Sequence, residues 1–392
     1  MKWFRRVFTC SLLMLTLSCV NVWSEDSIRV SLVTCGPGNE VWSHFGHSAL
    51  HYQDVSRNID IAVNYGLFSL NSDHFIWRFI MGTADYEMGI ADFNRFLDSY
   101  AAEGRWVKEQ ELNLTNDEKQ AIAQAIDLNF RPENRAYRYN YFYDNCTTRA
   151  RNIIESNIKG DVRCSGEDVQ DVTLRDMVHQ AIGTDRWTRF GIDLLIGVMA
   201  DQPTDRRTRQ FLPDSLASSY DHAVIIENDT TTRQLVTSEQ QLVTIENQSE
   251  KPTKNLFTPL FVMSLLAVLI LLITFFERYK NKFSYLTDFL ILTITGLAGL
   301  ILFLLIFSKH CCVSLNFQIL MLCPLNVFFA YFVAKRTKKH QNHPWLKIWC
   351  AMILLMLILG FWQQYAEGIY VLASSLLVRY LLRFFGRTKE NA

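Results

Sequence analysis

The apolar residues of this chain are spaced in two ways, and the change comes near residue 257. Before it they form short runs broken by charge; after it they form runs as long as a bilayer is thick. In the first part, runs at 28–34 and 59–63 predict strands, closed by the turns Cys35-Gly36-Pro37-Gly38-Asn39 and Asn64-Tyr65-Gly66. Thr115 to Glu118 is a capping box. Ala121, Ile122, Ala125, Ile126 and Phe130 then recur at helical spacing, which predicts a helix to about residue 129 with those side chains inward. Residues 75–100 predict short helices around a strand, with Gly82 and Gly89 as breaks, and 174–182 and 190–199 predict further helices. Asp193 and Asp201, eight apart, suit one side or two surface caps.

The alternating aromatics from Tyr139 to Tyr143 predict an extended segment, whereas Ala150, Ile153, Ile154 and Ile158 predict a helix. The junction falls at Asp144-Asn145, both good N-caps, which puts Cys146 in the first turn. There the free N–H groups and the helix dipole stabilise a thiolate, and Arg149 and Arg151 add positive charge. Such a cysteine is either a nucleophile with oxyanion donors at hand or a buried structural thiol.

Beyond residue 257, apolar runs at 258–276, 285–307, 317–334, 346–361 and 369–385 predict five spans, with a kink at Pro324 and Arg379 snorkelling or facing the bundle. Basic residues follow the first span (Arg278, Lys280, Lys282), the third (Lys335, Arg336, Lys338, Lys339) and the fifth (Arg383, Arg387, Lys389). By the positive-inside rule these ends are cytoplasmic, so everything before the first span is exported. Lys2, Arg5 and Arg6, the apolar run 7–20 and Val22-Trp23-Ser24 predict a secretory signal over 1–24, with Cys19 as an alternative lipid-attachment site. The domains expected are thus a signal (1–24), an exported domain (25–224), a polar linker (225–256) and a membrane domain (257–392). Within the linker, Gln234-Leu235-Val236-Thr237 and Gln241-Leu242-Val243-Thr244 echo each other and predict a hairpin.

Charge and cysteines narrow the function. The 392 residues carry 39 Lys+Arg against 39 Asp+Glu, and no basic surplus points to nucleic acid. Of the nine cysteines, Cys10 and Cys19 fall in the signal, and Cys323 and Cys350 in apolar runs. That leaves Cys35, Cys146, Cys164, Cys311 and Cys312 on the exported side, an odd number with no disulfide framework.

His44, His47 and His51 lie close together, the last two on one side if the segment is extended. Zinc ligation would need a helix that Phe45-Gly46 and Tyr52 do not suit, and no second ligand cluster follows, so no metal is expected. The better reading is a general base paired with a distant cysteine. Asn64 on the following strand suits an imidazole-orienting role or a plain turn. His310, beside Cys311 and Cys312 in the exported loop after the second span, borders the same compartment.

Taken together, Cys35-Gly36-Pro37-Gly38, Phe45-Gly46-His47-Ser48-Ala49, Asn64-Tyr65-Gly66-Leu67-Phe68, Phe79-Ile80-Met81-Gly82 and Asp144-Asn145-Cys146-Thr147-Thr148-Arg149 resemble the periplasmic domain of the Bacteroides-type lipoprotein N-acyltransferase family. His310, Asn316 and Pro324-Leu325-Asn326 are similar to its membrane-proximal motif, from which Cys311-Cys312 departs. The histidine-before-cysteine order is similar to permuted papain-like enzymes, including the lecithin:retinol acyltransferases. The resemblance implies an α+β, permuted papain-like extracytoplasmic domain followed by an α-helical transmembrane domain of about five spans in the inner membrane. It makes Cys146 the nucleophile and His47 the base, with Asn64, His44, His51, Asn145, Arg149 and His310 as supporting candidates and no cofactor. The acyl donor would be membrane phospholipid and the acceptor the α-amino group of diacylglyceryl lipoproteins. A membrane-tethered cysteine peptidase or amidase fits the same Cys–His pair, and a non-catalytic sensor or assembly protein fits the domain layout.

Overall fold

The computed structural model describes residues 27–40, 43–164, 171–228, 230–245 and 256–385. The expected signal with Cys10 and Cys19, Trp42, the 249–255 part of the linker, Arg387 and Lys389 lie outside the described residues.

The run that begins at Ile28 carries apolar residues on both of its faces because the strand it forms is covered on both. In β1 (Ile28–Cys35), Val30 and Leu32 enter one core while Val33 and Cys35 enter another. β1 lies inside a seven-stranded antiparallel sheet of order β10-β5-β1-β2-β3-β4-β6. The other strands are β2 (His47–Asp54), β3 (Ile59–Leu67), β4 (Asp85–Asp92), β5 (Val107–Leu112), β6 (Ala136–Arg138) and β10 (Val236–Val243). Between β3 and β4 runs the short helix α1 (Phe75–Ile80), and after β4 comes α2 (Phe93–Ala102). Phe93 and Phe96 of α2 cover Val33, Cys35, Ala49 and Ala62 on one face of the sheet. The opposite face packs on α3 (Asn116–Phe130), α4 (Cys146–Ser156) and α8 (Pro213–Asp221) through Ile122, Ile126, Ala150, Ile154, Leu216 and Tyr220. The helix after Thr115 forms with both capping-box bonds in place, although Phe130 ends exposed.

Three local expectations change. Tyr139 to Tyr143 is a turn, because the Asn140 side chain accepts the N–H groups of Phe142 and Tyr143 and its backbone closes on Asp144. β3 runs on through Asn64 to Leu67, with Gly66 at φ 96° in a bulge, and Gly89 lies inside β4 because Leu67 packs where its side chain would be. The two echoing segments do not pair with each other: β8 (Ala223–Ile226) pairs with β7 (Asp161–Cys164) and β9 (Thr232–Gln234), while β10 adds to the edge of the main sheet beside β5. The first part of the polar segment is therefore structure; its polarity reflects an edge strand whose residues from Thr237 to Gln241 are exposed on both faces.

Helix α6 (Arg186–Leu195) packs on the membrane part through Phe190 and Leu194, α5 (Leu174–Ile182) shares a cluster with Cys312 of the loop after the second span, and the one-turn α7 (Arg206–Arg209) follows them. Asp193 and Asp201 are not surface caps. They clamp the fully buried guanidinium of Arg175 at 2.7 and 2.6 Å, an arrangement that compensates a charge otherwise costly to bury. The loop between the second and third spans bonds the same region, through Gly197 N–H to Cys312 O and Gln318 to Asp193 O.

Among the described residues, three helical stretches are long and apolar enough to cross a membrane: α9 (Pro259–Tyr279), α10 (Tyr285–Leu305) and Phe317–Lys338. A shorter apolar helix, α12 (Trp345–Leu359), and α13 (Ile369–Phe385) follow. Pro324 does not kink a continuous helix. It separates a 3-10 turn (Phe317–Leu320) from α11 (Leu325–Lys338), which it opens, since proline lacks an N–H but fits a first turn. Arg379 faces the bundle, fully buried against Asp288 and Glu277, and Arg383 joins it on Asp288.

A topological prediction follows from these helices and their basic ends. Reporters fused near Asn255, Ser314 and Gln364 should read as exported, and fusions at Lys280 and Lys338 as cytoplasmic. A cytoplasmic reading at Ser314 would remove the five-span arrangement.

Candidate active site

Cys146 owes its position to its neighbours' hydrogen bonds. Asn145 caps α4: its Oδ1 accepts from Thr148 N–H and its N–H donates to Thr148 Oγ1, both at 2.9 Å. Its Nδ2 donates to the carbonyls of Tyr141 and Phe211, which ties the helix start to the preceding turn and to the segment before α8. Arg149 reaches back to Asp144 in a two-pronged pair and lies over the Tyr137 ring at 3.6 Å. Its charge is therefore neutralised beside the site rather than offered to the thiol. Thr147 Oγ1 meets Ser48 Oγ at 3.1 Å, which fastens the first turn of α4 to β2.

His47 is the first residue of β2, reached through Gly46 at φ 74°, where a side chain would strike the Cys35 carbonyl. Its Nε2 meets Asn64 Oδ1 at 3.1 Å, which leaves Nδ1 for the Cys146 sulfur. β2 and β3 pair Ala49 with Asn64, so the asparagine stands on the same face as His47. Burial raises the Cys146 thiol, but the charge and hydrogen bond of His47, the Ser48 N–H and the Thr147 hydroxyl overcome it and bring the pKa down to about 7. For His47 burial acts downward, yet the Cys146 thiolate and the hydrogen bonds to Cys146 and Asn64 leave the imidazole above its ordinary value. The pair thus favours a thiolate beside an imidazolium, and the two groups titrate as one unit.

This pair opens on a cleft of about 650 Å³ whose walls include Phe45, Tyr65, Phe68, Tyr86, Tyr139 and Tyr141. Gly66 borders it with only hydrogen toward Cys146: a β-carbon there would lie 3.8 Å from Cys146 Cβ. The buried hydroxyls of Tyr65, Tyr137 and Tyr141 have no hydrogen-bond partner among the described residues.

The other supporting candidates go elsewhere. His51 bridges Glu109 and Asp60 at 2.5 and 2.7 Å and stacks on Phe93, a structural role inside the sheet. His44 lines a neighbouring groove with Arg209 and Asp214. His310 bonds the Phe79 carbonyl at 3.0 Å, outside the cleft. With the three sequence-adjacent histidines dispersed, no group of three or more His, Cys, Asp or Glu gathers for a metal among the described residues. Sequence reasoning missed Ser48, Thr147 and the tyrosines. The hydroxyl beside the cysteine was a usable signal, but Tyr139 and Tyr141 read as strand and Tyr65 as a turn.

Alkylation tests the electrostatics. The rate at which iodoacetamide modifies Cys146, followed by peptide mapping to separate it from the exposed Cys311, should rise with a midpoint of about 7 rather than at the ordinary thiol value of 9.0. His47→Ala removes the largest lowering influence while burial remains, so the midpoint should climb to the ordinary value or above it. A wild-type midpoint near that of an ordinary thiol would dismiss the ion pair.

The fold and the site together define a membrane protein whose exported α+β domain presents a cysteine at a helix start, a histidine and an asparagine on adjacent strands. The strand-borne histidine precedes the helix-borne cysteine, the order expected of a permuted papain-like domain. The family model for the Lnb N-terminal periplasmic domain matches residues 22–180, and that for the Lnb transmembrane domain matches residues 251–391. The chain belongs to the Lnb family, the lipoprotein N-acyltransferase type, and the two matched regions take in most of its length. No curated protein and no solved structure gives a match.

Proposed function

We propose that this protein moves a fatty acyl group from membrane phospholipid to the α-amino group of diacylglyceryl-cysteine lipoproteins, by way of a thioester on Cys146. The observation that carries the reading is the Cys146–His47–Asn64 alignment inside an aromatic cleft on a domain bonded to the membrane helices.

In the first half-reaction the Cys146 thiolate attacks the ester carbonyl carbon. Charge grows on the carbonyl oxygen, where the Cys146 and Thr147 N–H groups that open α4, which have no intrahelical acceptor, are the donors. The carbon–oxygen bond breaks, His47 gives its proton to the departing alkoxide, and a lysophospholipid leaves. In the second half the lipoprotein amine attacks the thioester carbonyl, His47 accepts the amine's proton, and the thiolate departs to leave an amide. No cofactor enters, because the ester supplies the acyl group already activated. Asn64 holds the imidazole in the orientation both halves need.

Both substrates are held in a membrane, which suits an inner-membrane protein of five spans with the catalytic domain in the periplasm. Mass spectrometry of lipoprotein N-termini from cells with and without this protein is the decisive test. The expected result is loss of the N-acyl group without the protein. Unchanged N-acylation would overturn the reading.

A further inference from the structure

The exported domain carries an apolar surface that its own core does not explain. Leu70, Ile76 and Trp77, in and just before α1, are 56%, 70% and 50% exposed, and Phe79 joins them at the surface. A cluster of this kind on one short helix is expensive to leave in water. Its place in the fold says what covers it. α1 ends on the loop that follows α10: Lys309 N–H bonds Met81 O, Ser308 Oγ donates to Ile80 O, and His310 bonds Phe79 O. Ile80 packs against the core of the membrane domain itself. α1 therefore sits at the exported end of a helix long enough to cross the bilayer, three residues beyond its last turn.

A row of rings runs inward from this surface. Phe79 lies 6.4 Å from Tyr139, Tyr139 stacks on Tyr86 at 4.1 Å, and Tyr86 stacks on Phe68 at 5.0 Å. Tyr139, Tyr86 and Phe68 are walls of the Cys146 cleft. We propose that α1 and the residues before it are an apolar foot seated in the exported leaflet of the bilayer, and that the ring row behind it is the path by which a lipid acyl chain reaches Cys146. The foot stands on the membrane topology alone; the path rests on the acyltransferase reading above. Trp77 takes the interfacial position that tryptophan favours, and the neighbouring Arg78, paired with Asp85, stays at headgroup level.

Two measurements on the full chain in phospholipid vesicles separate the two parts. A photoreactive amino acid at position 76 should give phospholipid adducts, as should one at Leu265 in α9. One at Val55 should not, although Val55 is 67% exposed, because β2 carries it roughly 25 Å from His47. Adduct yield at 76 no higher than at 55 would overturn the foot. The variants Ile76→Asp and Trp77→Asp should lower acyl transfer from vesicle phospholipid about tenfold. They should leave Cys146 alkylation and its acylation by a water-soluble short-chain thioester unchanged. Equal loss with both donors, or no loss with phospholipid, would overturn the path. If the unaltered protein transfers no acyl group from either donor while position 76 still labels lipid, the acyltransferase reading fails and the foot stands.

Discussion

Cys146→Ala and His47→Ala should each reduce acyl transfer on the order of 10⁴-fold or more, and the double variant should be little worse than either alone. The reason is geometric. The sulfur is drawn to a pKa of about 7 chiefly by His47, so removing the imidazole takes away the base and the influence that keeps the nucleophile ionised. Neither side chain carries packing that the fold depends on: α4 is held by Ala150 and Ile154 in the core and by the Asn145 cap, and β2 by its pairing with β1 and β3. Both variants should therefore be expressed and inserted at ordinary levels. Asn64→Ala should give a smaller loss, roughly ten- to a hundredfold, because it frees the imidazole to turn without removing it. Activity in Cys146→Ala above a small residue would remove the nucleophile assignment.

With phospholipid and no amine, the protein should accumulate an acyl thioester on Cys146, visible as an added fatty-acyl mass and released by neutral hydroxylamine. The first half-reaction requires only the thiolate, the imidazolium and the oxyanion donors, all of which stand ready in the cleft. Hydrolysis should be slow, because a long acyl chain lying against Phe45, Phe68, Tyr86, Tyr139 and Tyr141 would displace water from around the thioester. Adding a lipopeptide with a free α-amino group should discharge the label into that peptide, whereas an N-acetylated lipopeptide should leave it in place. An active protein that forms no adduct under conditions where a thioester survives would count against the mechanism. Cleavage of peptide in the same assay would move the site to the peptidase class.

Much of this site could be read along the chain. The cap before Cys146 and the apolar spacing after it are short-range features, and propensity and periodicity report short-range features well. For the same reason the position of His47 before the cysteine, the capping box at Thr115 and the basic ends of the apolar helices were all visible. Tyr139 to Tyr143 misled because alternation of large rings resembles a strand. The Asn140 side chain, competing for backbone N–H groups, folds the segment into a turn instead.

What the sequence by itself determined is the division into an exported part and a membrane part, the cysteine at its helix start, and the candidates for its partner. Choosing among those candidates depended on pairings distant in the chain. Asn64 reaches His47 only because β2 and β3 align Ala49 with it, and His51 is drawn away because Glu109 and Asp60 flank it from the two neighbouring directions in the sheet. Arg149 spends its charge on Asp144, and Asp193 and Asp201 become inner groups only once Arg175 comes between them. Strand register and the partners of buried charges are set by contacts between residues far apart in the chain, which no local pattern encodes. The tertiary structure alone therefore decided what orients His47, which of the other candidates stand away from the thiol, and which segments of the exported domain pack on the apolar helices.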